Sequence, residues 1–170
     1  LPFKSVDDGR GLERTSCVLQ GLTDVYRVDS IWPIVERTVA LGNGRFSYES
    51  GPATPQHRNT ATPAIRIIVD HIRTASFCIV DGILPGNSGR GYVLRRLIRR
   101  AILKGQRVLG FEEPFFHLVF DGVVEAMGDH YTELSERRDV VVETFQSEER
   151  LFRRTLAQGS DLLDHDLQGL

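Results

Sequence analysis

The segment from Thr62 to Val80 constrains the fold of this chain more than any other stretch. It reads TPAIRIIVDHIRTASFCIV. Threonine followed by proline is a typical helix start, because threonine caps the first free N–H groups and proline fits the first helical position. Apolar residues surround nearly the whole axis of the helix that follows, so other elements have to pack around it. The sequence therefore predicts a mainly α, helical bundle-like domain with this helix at its centre.

Further helices are predicted on both sides of this segment. Residues 3–8, FKSVDD, predict a short strand that turns at Gly9 into a first helix. Residues 30–41 predict a second helix, with Pro33 tolerated in its first turn. Residues 45–62 are rich in Gly, Pro, Ser, Thr and Asn, which predicts an irregular loop and the main internal boundary. Three more helices are predicted at about 92–109, 113–127 and 131 to the end.

The composition is that of an ordinary soluble protein, because 41% of the 170 residues are hydrophobic and 26% are charged. No apolar run reaches the length of a membrane span and no signal peptide opens the chain, so a cytoplasmic location without a membrane partner is expected. Cys17 and Cys78 lie far apart without metal-ligand spacing, which predicts reduced thiols and no metal site. The chain begins with Leu1 and its last residues, LLDHDLQGL, read as a continuing helix, so a piece of a longer protein is expected.

The slightly acidic chain contains one strongly basic stretch. From Arg90 to Arg107 there are seven basic residues and no acidic one. A soluble surface usually mixes its charges, so this local positive field favours an anionic partner. On a helical wheel the six basic residues from Arg95 to Arg107 occupy one half and the apolar residues the other, except for Leu103, which falls on the cationic side. The residues predicted to be buried are Leu94, Leu97, Ile98, Ala101 and Ile102.

Two explanations of the basic helix stay open. One is a solvated face, or a face whose arginines pair with acids of the C-terminal helix such as Glu143 and Glu148. The other is a surface for a polyanion. The polyanion is favoured, because arginines at four neighbouring helical positions repel one another and because the guanidinium group suits bidentate phosphate contacts.

The loop before this helix, GNSGRG, is rich in glycine and carries Asn87. The glycines permit close backbone approaches, and the asparagine amide offers both donors and an acceptor. An asparagine at the edge of a phosphate-binding helix is placed to read a base edge. Asparagine in a glycine-rich turn is also ordinary turn chemistry, so the loop alone does not decide between these two roles.

Two other stretches carry candidate polar residues. VDDGRGLER, at residues 6–14, combines carboxylates, glycines and an arginine, which can hold an ammonium group and a phosphate. The alternative for this stretch is a tight turn before a helix. VDHIR contains Asp70 and His71, for which a satisfied polar contact between packed helices is favoured over catalysis or metal binding.

The segments SVDDGRGLER…VLQG and RIIVDHIRTASFCIVDGILPGNSGRGYVLRRLIRRA together resemble the alanyl-tRNA synthetase family over nearly the whole chain. The resemblance implies that residues 1–20 are the end of a class II aminoacylation domain, its third motif, and that residues 21–170 are the helical tRNA-recognition domain. It matches Arg14 to an arginine that contacts ATP, Asp7 to the carboxylate that holds the amino group of alanine, and Gly9 to a backbone position that lines this pocket.

The same resemblance implies an RNA-binding surface. Asn87 matches the asparagine that reads the G·U wobble pair in the acceptor stem of alanine tRNA. No DNA partner is implied. The RNA-facing arginines of the family correspond to Arg90, Arg95, Arg96, Arg99 and Arg100.

The family implies that the intact enzyme activates alanine with ATP and Mg²⁺ and transfers it to the tRNA. The first two class II motifs, the aspartate partner of Asn87, the zinc-dependent editing domain and the oligomerisation region fall outside these residues. The chain alone is therefore expected to form no adenylate and to hold no cofactor. Two other functions stay open: a non-catalytic helical module that docks on an acidic protein surface, and a stand-alone relative that binds RNA without aminoacylating it.

Overall fold

The computed structural model describes residues 5–6, 8–49 and 60–168, with side chains as far as Gly159. These residues are mainly helical, as predicted, and they contain no β-strand. Of the short strand predicted at residues 3–8, the three described residues belong to no regular element and the others lie outside the described part of the chain.

Seven α-helices run through the described residues, with a short 3-10 turn at Val25–Arg27 between the first two. The six helical segments predicted from the sequence are all present, and the last is divided in two by a turn at Arg137, which donates a hydrogen bond to the carbonyl of Val80. The helices are α1 (Leu12–Leu19), α2 (Trp32–Ala40), α3 (Ala61–Val80), α4 (Gly89–Leu109), α5 (Phe116–Met127), α6 (Glu133–Glu136) and α7 (Arg138–Gln168).

Helix α3 lies at the centre of the bundle, as predicted, because it packs against α2, α4, α5, α6 and α7. Aromatic rings complete the core: Phe116 and Phe120 of α5 meet Phe145 of α7 edge to face, with ring centroids 4.8 and 6.1 Å apart. The core side chains that α3 contributes include Ile65, Ile68, Ile72 and Ile79.

Helix α3 begins at Ala61, two residues before the predicted start at Pro63. The prediction that Thr62 caps this helix is wrong, because its hydroxyl instead accepts a hydrogen bond from the Glu49 N–H at 3.0 Å. Pro63 still lies in the first turn, where its missing N–H removes no helical hydrogen bond. This hydrogen bond therefore attaches the segment that ends at Glu49 to the central helix.

Helix α2 begins at Trp32 and not at Ser30. A turn precedes it, closed by hydrogen bonds from the N–H groups of Ile31 and Trp32 to the carbonyl of Val28 at 3.0 and 2.8 Å. Pro33 lies inside the first helical turn, as predicted.

A polar network attaches the segments before and after α2 to α3. The carboxylate of Asp24 accepts hydrogen bonds from the Tyr48 hydroxyl at 2.7 Å and from Arg66 Nη2 at 3.0 Å. Burial, together with the hydrogen bond to Asp24, raises the pKa of Tyr48 to about 12, so this hydroxyl stays protonated and keeps donating. Tyr26 donates to Asp70 of α3 at 2.7 Å, which confirms the predicted satisfied contact for that carboxylate.

Helix α4 packs on α3 and α7 and divides into the two predicted sides. Leu97 is only partly buried, whereas the other four apolar residues named for the buried side are confirmed there. The basic residues from Arg95 onward consequently lie outside the buried side of α4. The buried residues of that set are Leu94, Ile98, Ala101 and Ile102.

The loop before α4 folds back on the first turn of that helix. The Gly86 N–H donates to the carbonyl of Gly91 at 3.0 Å. A Cβ on Gly91 would lie 2.6 Å from the carbonyl oxygen of Leu84, an approach that only glycine allows. The backbone on both sides of Asn87 is therefore held by contacts within the loop.

Gly105 of α4 packs so closely on α5 that a side chain there is predicted to destabilise the fold. A Cβ would lie 2.1 Å from Cζ of Phe115, whose buried ring stacks on Phe111 with centroids 4.3 Å apart. We expect Gly105→Ala to lower the free energy of unfolding by about 1–3 kcal/mol in urea denaturation. Gly159→Ala is the matched control: nothing lies within 4 Å of its Cβ position, so stability should be unchanged or raised by up to about 1 kcal/mol. Equal losses in both variants would contradict this packing.

Candidate nucleic-acid interface

The side of α4 that is not buried is a cationic surface. Arg96 and Arg100 are exposed there, Arg90 is exposed in the first turn of α4, and none of the three has an ion pair within the described ranges. A shallow cavity of about 410 Å³, here called the basic cavity, lies on this surface. Cations beside aromatic and apolar groups can bind phosphates and stack against sugars or bases. The basic cavity is lined by Tyr92, Arg95, Arg96, Arg99, Arg100, Leu103 and Phe152.

Two arginines of the basic cavity are paired with one buried carboxylate. Oε1 of Glu148, a side chain of α7 that is 5% exposed, lies 2.6 Å from Arg99 Nε and 3.2 Å from Arg95 Nε. Arg99 also lies over the ring of Phe152, with Cζ 5.3 Å from the centroid. The alternative in which acids of the C-terminal helix pair with the basic helix therefore holds for these two arginines and Glu148. Glu143, the other acid named for it, is exposed.

Asn87 is exposed, and its amide is held by a neighbour. Its Oδ1 accepts a hydrogen bond from Nη1 of Arg95, and Nη2 of the same guanidinium lies 3.4 Å from the carbonyl oxygen of Pro85. A guanidinium group can only donate, so the amide atom that faces it has to be the oxygen. The Nδ2 group has no partner among the residues described and offers two N–H donors to a ligand.

The candidate residues near the N-terminus lie on and just before α1. Arg14 is exposed in the first turn of that helix. Its neighbour Glu13 pairs with Arg73 of α3 at 2.6 Å, and a backbone hydrogen bond together with this guanidinium lowers the pKa of Glu13. Gly9 is exposed, with open space at its Cβ position, and Asp7 lies outside the described residues.

The position of Glu148 can be predicted from the apolar pattern of α7, although the basic pattern of α4 alone does not reveal it. Val141 and Phe145 mark the buried stripe of α7, and Phe152 continues it at helical spacing. Glu148 occupies the position between Phe145 and Phe152 on that stripe. An acid at an apolar position of an amphipathic helix needs a buried cationic partner.

Both cysteines are free thiols, as predicted, and Cys17 donates a hydrogen bond to the carbonyl of Leu22 at 3.2 Å. Over the described ranges, no group of three or more His, Cys, Asp or Glu residues could hold a metal ion. Of the helices in that part of the chain, none combines the length and the apolar character needed to cross a lipid bilayer.

His71 differs from the sequence prediction. Its Nε2 atom is buried and has no hydrogen-bond partner among the described residues, so the predicted satisfied contact is wrong for this side chain. Burial, and then the positive charge of Arg100, lowers the pKa of His71 below the usual 6.5. The unfolded chain therefore binds a proton at His71 at a higher pH than the folded protein does.

Comparison with known proteins places these features in a family. The family model described as tRNA synthetases class II (A) matches residues 1–170. The alanine–tRNA ligase of Myxococcus xanthus (strain DK1622) is 43% identical over all of this chain. That of Roseiflexus castenholzii (strain DSM 13941 / HLO8) is 46% identical over 94% of it, and that of Legionella pneumophila (strain Paris) is 41% identical over all of it. The matched segments span only 18%, 16% and 18% of these three relatives, respectively.

The lowered pKa of His71 predicts a pH dependence of stability. Because the unfolded state binds the proton more readily, the free energy of unfolding should fall as the pH drops below about 6.5. In His71→Gln this loss should be smaller, as measured by urea denaturation at several pH values between about 7.5 and 5. His117, whose pKa burial also lowers, remains in the variant, so some pH dependence should persist. Identical pH profiles in the two proteins would rule out a contribution from His71.

Proposed function

This chain belongs to the class II (A) family of tRNA synthetases, and we propose that the protein carrying it is an alanine–tRNA ligase that activates alanine with ATP and attaches it to alanine tRNA. Within that protein, residues 1–20 complete the class II catalytic domain and residues 21–170 recognise the acceptor stem. The names of the relatives and their identity over nearly the whole chain support this assignment. The proposed location is the cytoplasm.

One observation carries the RNA-binding role: an exposed asparagine amide lies at the leading end of a cationic helix. RNA duplexes present base edges in a wide, shallow minor groove that a short loop can reach. Phosphate contacts set the position of a protein on the duplex, whereas a base contact supplies sequence information. Asn87 is thus the proposed reader of the G·U pair.

The proposed phosphate contacts differ in their free charge. The exposed guanidinium groups of Arg90, Arg96 and Arg100 are available as complete cations. Arg95 and Arg99 line the basic cavity together with Arg96 and Arg100, but Glu148 neutralises part of the charge of Arg95 and Arg99. The exposed arginines should therefore contribute most of the salt-dependent affinity.

In the catalytic domain, Arg14 is the proposed contact of ATP. Its exposed guanidinium group has no ion pair in the described part of the chain and fits a phosphate group. Asp7 and Gly9 are the proposed contacts of the substrate alanine, the carboxylate holding the ammonium group. ATP with Mg²⁺ supplies the phosphate chemistry that activates the amino acid. The remaining catalytic motifs, and an editing domain with zinc, are proposed to lie elsewhere in the complete protein.

The role of Asn87 predicts a loss of discrimination on its removal. The measured quantity is the ratio of the kcat/KM values for two acceptor-stem hairpins, one with a G·U and one with a G·C pair. In the full-length protein carrying this chain, Asn87→Ala should reduce the free-energy difference that corresponds to this ratio by about 1–3 kcal/mol. Ser88→Ala is the control, because the neighbouring serine makes no side-chain capping hydrogen bond to α4. Unchanged discrimination in Asn87→Ala would refute the assignment of this residue.

The exposed arginines predict a change in salt dependence. Arg96→Ala and Arg100→Ala should each weaken binding to both hairpins and lower the slope of log Kd against log salt by about one unit. Arg150→Ala is the control: this residue is exposed on α7, and its charge acts on His117 of α5. A constant slope in all three variants, with equal displacement of RNA by polyglutamate, would favour the alternative of a module that docks on an acidic protein.

A further inference from the structure

We propose that Glu148 is a positioning residue for base-pair discrimination, acting through Arg95 on the amide of Asn87. This inference rests on the proposed function, in which Asn87 reads the base pair. It adds a residue of α7 that contacts no RNA itself. This residue determines whether Oδ1 or the Nδ2 group of Asn87 faces the RNA. The contacts that carry it run from a buried carboxylate to an exposed amide.

The first step is the link between Glu148 and Arg95. The Glu148 side chain is 5% exposed and that of Arg95 is 20% exposed, with Oε1 and Nε 3.2 Å apart. Arginine has several freely rotating bonds and loses substantial conformational entropy when it is fixed. A buried carboxylate at the Nε edge offsets this cost, because ion pairs away from solvent are weakly screened. Glu148 therefore holds the long side chain of Arg95 in one conformation.

The second step is the link between Arg95 and the loop. With Nε directed at Glu148, Nη2 faces the carbonyl of Pro85 at 3.4 Å and Nη1 donates to Oδ1 of Asn87. The loop backbone is already closed by the hydrogen bond from Gly86 to Gly91. With the backbone closed, the side chain of Asn87 keeps two rotations, that about its Cα–Cβ bond and that of its amide, and the amide has two broad orientations. Rotation by half a turn would set the NH₂ group against the guanidinium, donor against donor, so Arg95 selects a single orientation.

The third step concerns specificity. An amide that is fixed with Oδ1 inward presents only donors outward, whereas a freely rotating amide can match either a donor or an acceptor on a base edge. Free rotation would therefore let wrong base pairs bind better and would also cost entropy on binding the right one. Glu148 thus acts on the ratio between two RNAs, in addition to any effect on their common affinity.

Glu149, the next residue, separates this role from ordinary stabilisation. It is fully buried and accepts hydrogen bonds from the N–H groups of Phe115 and Phe116 at the start of α5, at 3.2 and 2.9 Å. It also pairs with Arg153 at 3.0 Å. No contact within the described residues connects Glu149 to Asn87, so it reports the effect of removing a buried acid of α7 without disturbing the amide.

The experiment measures kcat/KM of the full-length protein for two acceptor-stem hairpins that differ only in a G·U or G·C pair, with thermal unfolding in parallel. Glu148→Gln should reduce the ratio of the two values by roughly fivefold, the factor for one net hydrogen bond. Glu149→Gln should lower the unfolding temperature and leave the ratio unchanged. Glu143→Gln, an exposed acid on the same helix, should change neither quantity.

The double variant Glu148→Gln with Asn87→Ala tests whether Glu148 acts through the amide. If it does, the ratio in the double variant equals that of Asn87→Ala alone. Multiplicative losses, or an unchanged ratio in Glu148→Gln, would overturn the inference while leaving Asn87 as the reader. A ratio unaffected by Asn87→Ala would instead overturn the proposed function. If Glu148→Gln does not fold, Arg95→Lys tests the same contacts, because a single ammonium group cannot replace the guanidinium fork. In that variant the ratio of kcat/KM values for the G·U and G·C hairpins should fall, and an unchanged ratio would overturn the inference.

Discussion

Two neighbouring buried carboxylates of α7 determine how the rest of the bundle is arranged around its central helix. Glu148 accepts from Arg95 and Arg99 of α4, and Glu149 accepts from the first N–H groups of α5 and from Arg153. A buried carboxylate without partners is costly, so each acid requires its own set of contacts. Because the two acids are adjacent, a rotation of α7 that lost one set would also lose the other. The orientation of α7 thereby determines where α4 and α5 lie.

The first of these acids, Glu148, offsets part of the repulsion that a row of arginines creates on α4. Arg95 and Arg99 are one turn apart, as are Arg96 and Arg100, and like charges at this spacing repel one another. Glu148 lies against the first pair and leaves the second exposed to solvent, where water and salt screen it. Helix α4 therefore carries one row of cations that is paired with a carboxylate, Arg95 and Arg99, and one free row, Arg96 and Arg100. Of these four arginines, only those of the free row contribute their whole charge to an anionic ligand.

The features that depend on a single helix could be predicted from the sequence, and those that depend on distant partners could not. The central place of α3 and the two sides of α4 follow from their own patterns of apolar residues. The start of α3 was predicted wrongly, because the hydroxyl of Thr62 serves a backbone group of residue 49 instead of its own helix. Likewise, a count of charges cannot tell which arginines of α4 are free. That depends on α7, some fifty residues later, presenting Glu148 and not Glu143.

Affinity and specificity for RNA belong to different groups on this surface, in the proposed function. Every free cation that binds phosphate strengthens the binding of right and wrong stems alike, and salt weakens both. A helix with all its arginines free would therefore gain affinity without gaining discrimination. Glu148 reduces the free charge of Arg95 and Arg99 and at the same time directs Arg95 toward Asn87. In this proposal, the guanidinium group of Arg95 thus contributes less to phosphate binding and instead orients the amide proposed to read the base pair, so one buried acid limits non-specific affinity and sharpens specificity.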